Sequence, residues 1–184
     1  MHQPCFSQVY PQIWLMTDLR NDAVLEESIS NLPRGSGIIF RHYHLDGDSR
    51  YQRFKSVQAC ARRKDHLLML AGPPRLARLW GADGVHGRQW QRHQTAGLLH
   101  SAPVHNISEI RAAQHAGADL LFLSPVFATR SHPGQKPLGH MQAKKLIGLC
   151  PLPVILLGGM TAQRFQQREH LGALGWAAID GLSG

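Results

Sequence analysis

Arg41 stands directly after the apolar run Gly37–Phe40. A guanidinium there either grips a phosphate or carboxylate through paired hydrogen bonds or forms an ion pair with Asp18. Just beyond it, His42-x-His44 has the i, i+2 spacing that places two imidazoles on one strand face, within reach of one metal ion. Parity argues against that metal. If Arg41 points into a barrel mouth with Ile39 and Tyr43, both histidines point outward, as a hydrogen-bonded or exposed pair. His105 follows Ala102-Pro103-Val104 and is a candidate general acid or base, with a capping or buried histidine as the alternative. Gly158-Gly159 and Asp180-Gly181 are places where backbone N–H groups can approach an anion closely. The alternative is a plain strand-to-helix turn, and the Asp180 carboxylate would repel an anion unless it faces elsewhere. Thr129, Ser131 and His132 add hydroxyls and a ring nitrogen. The set is rich in donors and poor in carboxylates, which suits an anionic ligand.

These residues need a scaffold that brings them together. Eight short apolar runs recur along the chain: 13–16, 37–40, 66–70, 83–86, 98–104, 119–126, 154–157 and 175–179. Most are apolar on consecutive positions, as expected of parallel strands buried on both faces. Helix-like segments lie between them, at 22–31, 50–64, 107–117 and 161–172, and Asn106 with Glu109 forms a capping pair ahead of the third. Gly81-Ala82-Asp83, Gly117-Ala118-Asp119 and the looser Gly172-Ala173-Leu174-Gly175 repeat one turn chemistry ahead of a strand. Strands alternating with helices predict a compact, single-domain α/β fold over 1–184, a (βα)8 TIM barrel lacking a full final helix. A doubly wound sheet would want Gly-x-Gly-x-x-Gly after its first strand, where this chain reads Thr17-Asp18-Leu19-Arg20. In a barrel the chemistry collects at the carboxyl ends of the strands, where every candidate above falls.

Composition narrows the partners. The chain has 184 residues, 43% of them hydrophobic, and a formal net charge of +8. That hydrophobic share excludes a wholly disordered chain. No apolar run approaches the ~18 residues of a membrane span, and the start lacks a signal-peptide pattern. The basic residues are spread without an arginine–aromatic repeat or recognition helix, so neither nucleic acid nor a membrane is the expected partner. Cys5, Cys60 and Cys150 are odd in number and far apart, the pattern of a reduced cytoplasmic protein without a zinc site.

Taken in order, these motifs resemble the thiamine phosphate synthase family, which includes the TenI-type thiazole tautomerases. The resemblance rests on Leu15-Met16-Thr17-Asp18, Ile39-Phe40-Arg41, Gly81 to His86, Val104-His105 with Glu109, and Gly117-Ala118-Asp119. Its most specific piece is Ser124-Pro125-Val126-Phe127-Ala128-Thr129-Arg130-Ser131-His132 with Pro137-Leu138-Gly139, and Gly158-Gly159-Met160 completes it. The resemblance implies a small barrel that binds a phosphorylated thiazole or pyrimidine. By position it assigns the thiazole phosphate to Gly158 and Gly159, and thiazole contacts to Thr129 and Ser131. His132 stands at a lysine position of the synthase pattern. Arg41 and Tyr43 fall at the positions that bind the pyrimidine diphosphate, of which only the arginine matches. The synthase pattern also has two Mg²⁺ aspartates, and here those positions are Gly72 and Gln91. Synthase transfer uses Mg²⁺ to neutralise a leaving pyrophosphate. The resemblance therefore implies no metal ligands here and favours a tautomerase-like or altered activity. His105 would be the proton shuttle, Arg41 the positive charge and Gly181 a further phosphate contact. A homodimer would cover the flank left bare by a missing final helix. A synthase with a divergent site and a non-catalytic phosphate-binding barrel are the alternatives.

Overall fold

Eight parallel strands close on themselves in sequence order, β1 pairing with both β2 and β8. The computed structural model describes residues 10–129, 134, 136–167 and 171–182. The strands are β1 (Ile13–Met16), β2 (Gly37–Phe40), β3 (Leu67–Leu70), β4 (Gly84–His86), β5 (Leu99–Val104), β6 (Leu120–Leu123), β7 (Val154–Leu156) and β8 (Gly175–Ala178). Each lies inside an apolar run expected from the sequence. The α/β (βα)8 barrel is therefore the observed fold.

The helices are α1 (Leu25–Asn31), α2 (Gly47–Arg62), α3 (Pro74–Trp80), α4 (Arg92–Thr95), α5 (Ile107–His115), α6 (Gly139–Gly148) and α7 (Ala162–Gln166). The segment read as one helix over 22–31 is divided: a 3-10 helix, Leu19–Val24, leads into α1. Its cap explains the division. The Asp18 side chain accepts from the Arg20 N–H while the Asn21 side chain accepts from the Asp18 N–H, which tightens the first turn. The segment 161–172 is helical over Ala162–Gln166, and residues 168–170 lie outside the described part. Among the described residues no helix follows β8.

Strand alternation divides the core into an inner and an outer layer. Trp14, Met16, Ile39, Met69, Phe122 and Ile155 face inward and fill the barrel. Trp14 meets Phe122 edge-on, with ring centroids 5.3 Å apart. Room for that indole comes from Gly37, where a Cβ would fall 2.2 Å from Trp14 Cε3. Leu15, Ile38, Phe40, Leu68 and Leu70 face outward onto Ile29, Phe54, Val57 and Trp80 of the helices. On the other half Val104, Leu121, Leu123 and Leu156 face Ile110, Ala113, Leu146 and Ile147. Burial on both faces is why these strands read as continuous apolar runs.

The Gly-Ala-Asp repeat acquires a physical role. Gly81 and Gly117 take left-handed backbone (φ 73° and 79°), ending α3 and α5. Asp83 and Asp119 then turn a carboxylate onto the backbone N–H of Leu68 and of His100 respectively, each at 2.8 Å. Each aspartate thus ties its own strand to the preceding one at the amino-terminal end of the barrel. No helix of the described residues is long and apolar enough to cross a membrane.

Candidate active site at the barrel mouth

A cavity of about 380 Å³ opens at the carboxyl ends of β6, β7, β8, β1 and β2. Its wall includes Met16, Arg41, Ser124 and Thr129, the backbone at Gly158, Gly159 and Gly181, and the side chains of Arg20, Arg164 and Asp180. Three guanidinium groups stand against two carboxylates, Asp180 in the wall and Asp18 behind Arg41 and Arg20, so the site keeps a net positive charge. It is the kind of apolar-walled pocket with a few convergent polar groups that holds small ligands.

The glycines let the loops close on one another. Gly158 and Gly159 have φ of 95° and 61°. A Cβ at Gly158 would lie 2.8 Å from Pro125 Cα, one at Gly159 2.6 Å from the Ala128 carbonyl oxygen, and one at Gly181 2.4 Å from the Met160 carbonyl oxygen. The loops after β6, β7 and β8 therefore meet backbone to backbone. The Phe127 N–H donates to the Gly158 carbonyl at 3.1 Å, which fixes the approach.

Arg41 is held from below. Its Nε donates to the Thr17 carbonyl at 2.9 Å and its Nη2 to Asp18 Oδ2 at 2.5 Å. Arg41 thus makes the ion pair with Asp18 and also lines the cavity. Burial pushes the guanidinium down and Asp18 pushes it back up, and an arginine stays charged under such shifts. Burial raises the Asp18 carboxyl, but hydrogen bonds from Arg20 and the charges of Arg41 and Arg20 hold it below its usual range. Arg20 also reaches Asp180 at 3.3 Å. Asp180 thus spends part of its charge on an arginine at the cavity edge. Arg164 Nη1 donates to the Gly159 carbonyl, and its guanidinium lies 4.7 Å from the Phe127 ring centre. Asn21 closes the seam by donating to the Met16 and Ile179 carbonyls at 3.1 and 3.2 Å.

The model of the thiamine monophosphate synthase family matches residues 17–182. The chain belongs to that family. A thiamine-phosphate synthase of Chlorobium limicola is 30% identical over 160 residues, 80% of this chain and 74% of that one. A relative from Aquifex aeolicus, which bears a thiamine-phosphate synthase name, is 27% identical over 178 residues, 92% of this chain and 96% of its own. Among solved structures, thiamine phosphate pyrophosphorylase from Pyrococcus furiosus superposes with a TM-score of 0.80 at 22% identity, covering 94% of this chain and 87% of that one. That likeness supports the barrel fold.

Within this member of the synthase family, the expected site residues are distributed unevenly. Arg41, Thr129, Gly158, Gly159 and Gly181 meet at the cavity. Ser131 and His132 lie outside the described residues. Tyr43 lies apart from the cavity lining and is 68% exposed, its ring 5.3 Å from the Arg50 guanidinium carbon. The alternation that would have turned it inward stops at His42, whose φ is 35°. His42 is buried and bonded: Nδ1 lies 2.8 Å from the Thr17 hydroxyl and Nε2 lies 2.8 Å from Asp22. This is the hydrogen-bonded histidine expected from parity.

His105 directly follows β5 and is not among the residues that line the cavity. Val104 pairs with Leu123, so His105 is level with the cavity-lining Ser124. Its Nδ1 lies 2.8 Å from Glu109 Oε2, and its own N–H donates to the same oxygen at 2.8 Å. Glu109 also pairs with Arg88 at 2.9 Å. Burial pushes the Glu109 carboxyl up, but the two hydrogen bonds from His105 and the Arg88 charge hold it below the usual range. At the end of β4, burial together with the Arg41 and His100 charges pushes His86 down to about 3, so this imidazole is neutral.

The synthase pattern raises the question of Mg²⁺, and the residues at its aspartate positions do not fit the ion. A Cβ at Gly72 would lie 3.7 Å from Arg50 Nη1. Arg50 itself bridges the ends of β2 and β3, donating to the Arg41 carbonyl at 2.9 and 2.6 Å and to the Ala71 carbonyl at 2.8 Å. A fixed guanidinium thus lies next to one aspartate position, and the other, Gln91, caps α4. Divalent cations such as Mg²⁺ want carboxylate oxygens rather than a neighbouring positive charge.

Arg20 and Arg164 were not singled out from the sequence. A guanidinium five residues after a glycine pair and another four residues after a strand are the signals that could have found them.

Proposed function

We propose that this chain binds a thiazole phosphate in the cavity and moves a proton on the ring, instead of joining the ring to a pyrimidine. The observation that carries the reading is the cavity itself. Arg20, Arg41 and Arg164 surround a wall of glycine backbone at Gly158, Gly159 and Gly181, where a phosphate dianion is neutralised without a metal. Thr129 at the rim would orient the ring, and Ser131 and His132 follow it in the same segment.

Proton transfer needs one group that accepts at one ring atom and returns the proton at another. No leaving group departs, so no metal is required to neutralise one. His105 is that group in this reading, close in register to the cavity wall and bonded to a carboxylate. The Gly72 and Gln91 positions, with Arg50 beside the first, also favour metal-free chemistry over pyrophosphate transfer.

The names of the relatives favour a second reading, synthase transfer by a divergent site. One pair of assays separates them: isomerisation of a thiazole phosphate, and formation of thiamine phosphate from the two phosphorylated halves, each with and without Mg²⁺. The proposal expects Mg²⁺-independent isomerisation that His105→Ala abolishes. Mg²⁺-dependent thiamine phosphate formation would overturn it. A non-catalytic barrel would be stabilised thermally by thiazole phosphate without turning over either substrate.

A further inference from the structure

The role of His105 leaves two neighbours unexplained. Glu109 and Arg88 lie in different βα units, one on α5 and the other on the loop after β4, yet they meet at 2.9 Å. Glu109 Oε2 faces two groups of one residue, the backbone N–H and Nδ1 of His105. The Asn106 side chain accepts from the Glu109 N–H at 3.0 Å and locks the start of α5, so the carboxylate has little freedom to turn away.

We propose that Glu109 is a positioning residue, tethered by Arg88, that holds His105 in the tautomer protonated at Nδ1 and so leaves Nε2 as its proton-accepting nitrogen. This rests on the proton-transfer reading for its function, but its structural part stands alone. The chemistry of the groups requires it. An ionised carboxylate only accepts hydrogen bonds, so the nitrogen 2.8 Å from it carries the hydrogen. A neutral imidazole has one such hydrogen, so the other nitrogen holds the lone pair. The two hydrogen bonds from His105 and then the Arg88 charge favour the ionised form of Glu109, and Arg88 fixes its second oxygen. The arrangement repeats the logic of a base oriented by a carboxylate, here a half-buried one, with an arginine as the outermost member.

The geometry also defines a conservative rescue. Because one oxygen serves both His105 donors, a glutamine at 109 must present its oxygen, not its amide nitrogen, to avoid setting N–H against N–H. The glutamine amide nitrogen then stands where the Arg88 partner oxygen was, so Glu109→Gln keeps the Nδ1–H tautomer but loses the Arg88 tether, and Glu109→Ala loses both.

The test is long-range ¹H–¹⁵N correlation of the ¹⁵N-labelled full chain, in which the two tautomers have distinct patterns. The wild type and Glu109→Gln are expected to show His105 protonated at Nδ1, and Glu109→Ala to show a mixture or the Nε2–H form. Isomerisation should fall by about 10-fold or more in Glu109→Ala and be restored in part in Glu109→Gln, which keeps the acceptor for Nδ1–H without the Arg88 pair. An Nε2–H pattern in the wild type, or an unchanged pattern in a folded Glu109→Ala, would overturn the inference. Should the alanine variant fail to fold, the wild-type spectrum decides the tautomer. An Nδ1–H wild type without any isomerisation would leave the tautomer standing and remove the proton-transfer reading.

Discussion

Replacing Thr17 by valine tests how the floor of the cationic cavity is built. Thr17 is fully buried. Its hydroxyl oxygen accepts from the Arg41 N–H at 3.0 Å, and the hydroxyl sits 2.8 Å from His42 Nδ1. The consistent assignment has the hydroxyl donating to His42, whose Nε2–H then donates to Asp22. Valine has nearly the same shape, so packing is kept while one N–H loses its acceptor and one ring nitrogen loses its donor. Each orphaned buried group costs about 1–3 kcal/mol, so Thr17→Val should lose about 2–5 kcal/mol of stability. In a chain of this size that lowers Tm by about 5–15 °C. Urea unfolding followed by circular dichroism reads the loss directly, with an unchanged m value. His42→Leu added to Thr17→Val should recover part of the loss, because the orphaned nitrogen is gone. A loss below about 0.5 kcal/mol, or strict additivity in the double mutant, would refute the assignment.

Two further outcomes follow from the same chemistry. His42, His66 and His86 are held neutral by burial, His86 most of all, with its value pushed down to about 3. The unfolded chain takes up protons on these imidazoles below about pH 6.5 while the fold resists. Stability is therefore full above that pH and falls as pH drops toward the lowered folded values. The carboxyls of Asp22 and Glu26 are held below their usual range, in each case against a burial penalty, by hydrogen bonds from His42 and Arg53 to Asp22 and from Arg53 to Glu26. They add a second loss below about pH 4. Urea midpoints that stay flat between about pH 7.5 and pH 5 would contradict this. Separately, Gly158→Ala places a side chain at φ 95° and 2.8 Å from Pro125 Cα. It should cost about 2–5 kcal/mol and weaken thiazole phosphate binding in a calorimetric titration; unchanged values for both would mean the loops yield freely.

What could be read from the sequence follows the range of each interaction. The strands were legible because burial on both faces writes itself as consecutive apolar residues, as in Ile38-Ile39-Phe40 or Leu120 to Leu123. Arg41 and the glycine pair were legible as exceptions at strand ends. Tyr43 was misplaced because parity assumes extended backbone, and the turn at His42 (φ 35°) cannot be read from residue type alone. Arg20 and Arg164 were missed because their importance arises across the closed barrel. Arg20 meets Asp180 over 160 positions of sequence, and Arg164 gains its neighbour Phe127 only when the loops after β6 and β7 touch. The histidine–carboxylate pair was half visible: Glu109 read as a capping residue, and its side chain instead serves His105.

The seam between β1 and β8 has a consequence for how the protein is made. One wall of the cavity comes from Met16 and Arg20, another from Ala178 to Gly181, and the Asn21 clasp joins them. On the ribosome β1 emerges early and must wait for β8, so the nascent chain has no cavity to offer a ligand. Any ligand of this cavity therefore stabilises only a chain whose β8 has already joined β1, and a chain that has lost β8 forfeits that protection.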